Sequence, residues 1–157
     1  MNDTIIGNAI PGWNTLSANI KMTPEGGLAV KVINDTGAAS IKGTVVHASP
    51  AVDRGVSLNP LDNPDPCGIV YDEGIPNGEF TWIVQGGMAE VLYSTPVVRS
   101  TFSRASSTLD AAPVVGEAIN EPLPAPPFAT NKHFLEIGHP AEARATPGLA
   151  LTYIHFL

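Results

Sequence analysis

The β-structure of this chain is indicated most strongly by residues 79–93, which read Glu79-Phe80-Thr81-Trp82-Ile83-Val84-Gln85-Gly86-Gly87-Met88-Ala89-Glu90-Val91-Leu92-Tyr93. β-Branched and aromatic residues lie on both sides of the Gly-Gly pair, and these residue types are enriched in strands. Period-two alternation puts Phe80, Trp82 and Val84 on one face. Because a two-residue Gly-Gly link suits a primed turn, the pattern predicts a β-hairpin with Gly86-Gly87 at its tip.

Further strand-like runs lie on both sides of this segment, separated by Gly, Pro, Asn and Asp residues that favour turns. They are Leu28–Ile33, Ile41–Ala48, Cys67–Tyr71 and Leu149–Leu157. Closely spaced strands without long helical periods are typical of an all-β domain, either a small β-barrel or a β-sandwich. We therefore predict an extended N-terminal arm over residues 1–27, a β-barrel domain over residues 28–157, and a long Pro-rich loop from Glu117 to Asn131.

The last predicted strand is apolar on both of its faces. Its odd-numbered positions begin at Leu149 and its even-numbered positions at Ala150, and both sets are mostly apolar. A strand with one solvated face should instead alternate between apolar and polar residues. We therefore expect this strand to be held by its own barrel, by a neighbouring subunit or by both. The residues expected to contact partners are Trp13 of the arm and Tyr153, Phe156 and Leu157 of the strand.

The composition limits the possible functions and locations. The chain has 157 residues, a formal charge of −7 and only eight Lys and Arg residues, which are scattered rather than clustered. Nucleic-acid binding needs grouped cations, so we expect no nucleic-acid partner. The single Cys67 excludes an internal disulfide framework and a cysteine-based zinc site. The sequence shows no signal-peptide pattern and no apolar run of membrane-spanning length, so we expect synthesis in a reducing cytoplasm and no membrane partner.

A search for reactive groups finds little. The pattern His133-x-x-Glu136-x-x-His139 superficially resembles a metal site, but on a regular strand Glu136 would face away from both histidines. The acidic residues from Asp62 to Glu73 lack the spacing of a calcium loop. Cys67 belongs to no nucleophile motif, and no phosphate-binding loop is present. We therefore predict a protein that is not an enzyme and has no catalytic, cofactor or metal site.

Several segments resemble a known class of viral proteins. They are Ile41–Val46, Pro66–Gly78, Trp82–Val91, Phe128–His139 and the terminal run Leu149–Leu157. Together they are similar to small head proteins of tailed phages, of the capsid decoration (cement) type, over residues 28–157. The resemblance implies a small β-barrel, often trimeric, that binds an assembled capsid and stiffens it after expansion.

From this resemblance we expect a virion structural protein on the capsid surface, with the major capsid protein and its own copies, as a homotrimer, as partners. Low charge, an apolar last strand and an extended arm suit a protein that buries much of its surface on others. Two alternatives remain open at this stage. One is another virion component, in the neck, the tail or a fibre base. The other is a small β-barrel enzyme or a carbohydrate-binding module with Trp13 or Trp82 as its stacking platform.

Overall fold

The computed structural model describes residues 18–99, 101–121 and 136–156. All regular secondary structure in these ranges is β, which confirms the predicted all-β fold class. The strands, in chain order, are β1 (Ile20–Met22), β2 (Gly27–Asn34), β3 (Val45–Ala48), β4 (Gly55–Leu58), β5 (Gly68–Val70), β6 (Phe80–Tyr93), β7 (Phe102–Ala105), β8 (Ala118–Glu121), β9 (Glu136–Pro140) and β10 (Gly148–His155).

The strand pairings close two rings that share the long strand β6. In the first, which we call the N-terminal ring, β2 pairs with β4, β4 with β3, β3 with β5, β5 with β6, and β6 back with β2. In the second, the C-terminal ring, β6 pairs with β10, β10 with β9, β9 with β7, β7 with β8, and β8 back with β6 through Tyr93 and Ala118. Ring closure pairs each strand of the two rings on both sides, which covers sheet edges that would otherwise invite aggregation, whereas among the described strands β1 pairs with β2 alone.

The predicted hairpin at Gly86-Gly87 is wrong, because β6 runs without reversal through all 14 residues. Its first part pairs with β2 and β5, and residues Gly86 to Tyr93 pair with β10. Gly87 has a φ of +82°, and the pairing of β6 with β2 shifts register between Leu28 and Ala29. Gly87 therefore has the positive φ that a primed turn would require, but it lies inside a continuous strand, beside the irregular part of the pairing with β2.

This irregularity changes which positions of β6 face the core. Before the glycines the buried cluster contains Val84, whereas after them it contains the odd-numbered residues Ala89, Val91 and Tyr93. The same cluster includes residues of both rings, such as Ala29 of β2. A second, smaller cluster of Val46, Val56, Val70 and Ile83 belongs to the N-terminal ring alone. The larger cluster therefore joins the two rings into one packed body.

The remaining predictions have mixed outcomes. The terminal strand is confirmed as β10, whose even-numbered residues Ala150, Thr152 and Ile154 are buried. The predicted Pro-rich loop is wrong at its start, because Ala118–Glu121 forms β8. Strand β1 lies within the range predicted as the arm and pairs with β2. Residues 1–17 of the arm and residues 122–135 lie outside the described part of the chain.

Candidate functional site

The predicted contact residues of the last strand differ in their exposure. Tyr153 is 55% exposed on the odd face of β10. Phe156 is half-buried and packs against the larger core cluster, so part of its apolar surface is already used within the chain. Trp13 and Leu157 lie outside the described residues. Of the two predicted contact residues that the structure describes, Tyr153 therefore offers more surface to a partner.

Strand β9 contains a bulge that brings Glu136 and His139 to the same side. On β7, Ser103 pairs with Gly138 and the next residue, Arg104, pairs with Glu136, so that Ile137 is an extra residue on β9. A bulge of this kind reverses the alternation of side chains beyond it. Ile137 is fully buried, whereas His139, two positions further on, is exposed. The sequence-based expectation that Glu136 faces away from His139 is therefore wrong.

Gly138 makes the bulge possible. Its φ is +154°, and a Cβ at this position would overlap the carbonyl oxygen of Tyr153 on β10. No residue with a side chain could bring the two backbones this close. Gly138 pairs with Ile154, and Tyr153 pairs with His139. The glycine therefore fixes both the bulge and the alignment of β9 with β10.

The bulge completes a cluster of three side chains, Glu136, His139 and His155, at the end of β10. Oε1 of Glu136 lies 3.2 Å from Nε2 of His139 and 3.5 Å from Nε2 of His155. The two imidazole rings are tilted by 50° with centroids 5.5 Å apart. Nδ1 of His139 lies 3.1 Å from the carbonyl oxygen of Thr101. Because a carbonyl only accepts, Nδ1 is the donor in this contact, and Nε2 is the ring nitrogen that faces the carboxylate of Glu136.

The acidic residues considered for calcium do not converge on one point. Asp62 accepts hydrogen bonds from the hydroxyls of Ser107 at 2.5 Å and Thr108 at 2.6 Å, and these bonds lower the pKa of Asp62. Asp72 accepts from the backbone amide of Trp82, and Glu73 accepts from that of Lys42. Each carboxylate thus holds a different segment of the chain.

The contacts of Asp62 order the loop between β7 and β8, which carries exposed apolar side chains at its surface. Asp110 accepts from the amide of Ser107 at 2.7 Å, and Ser106 accepts from the amide of Val114 at 3.1 Å. Leu109, on the same loop, is 93% exposed. Because these hydrogen bonds order the backbone that carries Leu109, the backbone would lose little entropy if this side chain bound a partner.

The buried polar groups of the C-terminal ring are paired within the chain. Arg104 on β7 binds Asp110 and, at 2.6 Å, Glu121 of β8. Burial opposes the charge of Asp110, but the hydrogen bonds from Arg104, the Ser107 amide and Ser106, with the charge of Arg104, together outweigh it and lower the pKa of this carboxyl. The hydroxyl of Tyr93 bonds to those of Ser103 and Thr152, the latter at 2.8 Å. These groups stabilise the ring and are not presented to a ligand.

Cys67, considered as a reactive thiol, and Trp82, considered as a sugar-stacking ring, are both partly buried. Burial raises the pKa of the Cys67 thiol to about 11, so the thiol stays protonated near neutral pH. Trp82 is half-buried against the larger core cluster, and Nζ of Lys21 lies 4.4 Å from its ring centroid. A cation–π contact of this kind covers a ring face that a sugar would need.

An open apolar groove of about 350 Å³ runs beside the middle of β6. It is lined by Met22, Gly26, Leu28, Gly86, Gly87, Ile154 and His155. The groove contains only one titratable side chain, so it offers an apolar contact area rather than a set of catalytic groups. Within the described residues, no helix has the length and apolar character to cross a membrane.

Comparisons with known proteins point to the fold. No protein-family model matches the chain, and no curated protein sequence is significantly similar to it. Among solved structures, the base of the head fiber protein gp8.5 of bacteriophage phi29 is similar, with a TM-score of 0.51. The match covers 82% of this chain and 93% of that chain at 11% sequence identity. At this identity the likeness establishes a shared fold.

Proposed function

We propose that this chain is a structural protein of a bacteriophage virion, located on the outer surface of the head. The observation that carries the proposal is the likeness of the two-ring fold to a phage head fiber base over most of both chains. The resemblance of residues 28–157 to capsid decoration proteins, described above from the sequence, supports the same location. We further propose that the protein contacts the major capsid protein and stabilises the assembled shell.

The surface of the described residues is consistent with such a role. Tyr153 and Leu109 expose apolar side chains on ordered backbone, one on β10 and the other on the β7–β8 loop. Tyrosine is enriched in the buried centres of protein–protein interfaces, which makes Tyr153 the first candidate for such a contact. The role proposed here is binding, and no catalysis is assigned to the chain.

A co-sedimentation experiment tests attachment. Purified protein at micromolar concentration is mixed with expanded capsids of the encoding phage that lack it, and the capsids are then pelleted. We expect saturable co-sedimentation and a higher melting temperature of the loaded capsids. Absence of the protein from the pellet would overturn the proposal. A heat-unfolded sample of the same protein serves as the control for non-specific pelleting.

The identity of the structural neighbour favours one further possibility, the base of a head fibre. A fibre base and a decoration protein would both co-sediment with capsids, but only decoration requires the shell to become more stable. Attachment without a change in capsid melting temperature would therefore favour the fibre base.

We also propose that the protein assembles as a homotrimer, as the resemblance to decoration proteins implies. Light scattering of the free protein should then give three times the chain mass of 16.4 kDa. A monomeric mass at the concentrations used for capsid binding would contradict the trimer while leaving the virion role intact.

A further inference from the structure

We propose that Glu136, His139 and His155 form a binding site for one divalent transition-metal ion of the zinc class. This inference is independent of the virion role. The donor atoms of the three side chains all lie within 4.8 Å of one another. Carboxylate oxygen and imidazole nitrogen are both common zinc ligands, and imidazole suits this class of metal better than magnesium or calcium.

Two of the three distances between the donor atoms match those of a tetrahedral site, and the third, between the donor atoms of the two histidines, is at most 4.8 Å. Zinc–ligand distances of about 2.0–2.1 Å require ligand atoms to be about 3.3–3.4 Å apart. The two distances from Oε1 of Glu136, 3.2 Å and 3.5 Å, bracket this value. The three side chains could therefore bind an ion after rotations that bring the two imidazole rings closer together.

The hydrogen bond between His139 and Thr101 orients one ligand in advance. Nδ1 of His139 donates to the carbonyl oxygen of Thr101 at 3.1 Å, which leaves Nε2 available to a metal. Metal-binding histidines commonly use their second nitrogen in this way, and the bond fixes both the tautomer and the ring orientation.

The site is also accessible. The side chains of His139 and His155 are 49% and 48% exposed, whereas that of Glu136 is 12% exposed. An ion could therefore enter from solvent, with water completing its coordination on the open side. Because His139 lies on β9 and His155 at the end of β10, a bound ion would join the last strand to its neighbour. We therefore expect the metal to raise the stability of the C-terminal ring.

Metal binding is measured on full-length protein produced without a histidine tag and treated with a chelator. Equilibrium dialysis against Zn²⁺, followed by elemental analysis, should give one zinc per chain, and added Zn²⁺ should raise the melting temperature. Co²⁺ in place of Zn²⁺ should give the visible absorption bands of a four-coordinate ion. Loss of a ligand should weaken binding by at least the 10- to 100-fold that loss of an outer-shell partner typically causes.

The variants Glu136→Gln, His139→Ala and His155→Ala each remove one donor, and His47→Ala on β3 is the matched control because it removes a histidine elsewhere. The site predicts weakened zinc binding in the first three and unchanged binding in the control. The melting temperature without metal, measured for every variant, identifies any that fails to fold. Zinc binding that survives His155→Ala, or no zinc-dependent change in the wild-type protein, would overturn the site.

Discussion

Gly27 of β2 pairs with Gly87 of β6 at the point where β6 passes from the N-terminal ring to the C-terminal ring. A Cβ on Gly87 would overlap the carbonyl oxygen of Gly26, and a Cβ on Gly27 would lie 2.5 Å from the carbonyl oxygen of Met88. The two strands can thus approach this closely only because both positions lack side chains. This contact lets one strand belong to both rings.

We expect Gly87→Ala to destabilise the protein strongly, because the substitution adds a backbone clash to a positive φ. Gly78→Ala is the matched control, since Gly78 has a φ of +87° but nothing within 4 Å of its Cβ position. The backbone conformation should cost about 1–2 kcal/mol in both variants. Crowding at the added methyl group should lower the free energy of unfolding of Gly87→Ala by a further amount of about 1–3 kcal/mol. Equal losses in urea unfolding would contradict the close approach.

We expect removal of Arg104 to lower the free energy of unfolding by about 3–5 kcal/mol, because the buried carboxylate of Asp110 would lose its cation and Glu121 would lose its ion pair with Arg104. The side chains of Arg104 and Asp110 are only 9% and 8% exposed. Arg144→Met is the control for Arg104→Met, because the ion pair of Arg144 with Glu142 is exposed and should contribute about 0–1 kcal/mol. Similar losses in the two variants would rule out the buried network as a main source of stability.

The wild-type protein and the Arg104→Met variant should differ in how their stability responds to acid. In the wild-type protein the pKa of Asp110 lies below its ordinary value of 3.8, so its stabilising effect is present above that pH and is lost as the pH falls through the lowered pKa. In Arg104→Met, burial without the cation would raise this pKa, and protonation would relieve the buried charge. The stability difference between the two proteins should therefore narrow as the pH falls below about 4. If the stability difference between the two proteins instead widened as the pH fell, the proposed stabilisation of ionised Asp110 by Arg104 would be wrong.

The two faces of β10 should respond differently to substitution. Ile154 is buried, and Ile154→Ala should cost about 2–5 kcal/mol. Tyr153→Ser should change stability by no more than about 0.5 kcal/mol, since the side chain is exposed. It should nevertheless weaken capsid attachment or self-association, whereas Leu109→Ser tests the other exposed surface. If Leu109→Ser lost capsid attachment and Tyr153→Ser did not, the capsid contact would lie on the β7–β8 loop rather than on β10.

Two truncations should separate folding from attachment. Deletion of residues 1–17 leaves β1 in place, so we expect an unchanged melting temperature and weaker capsid binding. Deletion of residues 1–25 also removes β1 and the contact of Lys21 with Trp82, which should lower stability by about 1–2 kcal/mol. Full-strength capsid binding by the shorter deletion would refute a role for the arm.

Much of the β-structure could be predicted from local patterns. Strand β10 followed from a strand-like run that is apolar on both of its faces, and the fold class followed from closely spaced strands. The path of β6 did not, because a Gly-Gly pair suits either a turn or an irregularity within a strand. The choice depends on pairing with β2 and β10, which lie far away in sequence.

The cluster of Glu136, His139 and His155 could not be predicted for a similar reason. Strict alternation of side chains along β9 would put Glu136 and His139 on opposite faces, and the bulge at Ile137 brings them to the same side. Gly138 was the local sign of such a bulge, since a glycine inside a strand often marks one. His155 joins the cluster only through the pairing of β10 with β9, which no local pattern contains.

The most direct test of the proposed virion role is a cryo-electron microscopy map of the phage that encodes this chain. We predict density on the outer surface of the head into which the two rings and the shared strand β6 fit, in contact with the major capsid protein. Density for this fold only in the neck or tail, or its absence from the virion, would contradict the account.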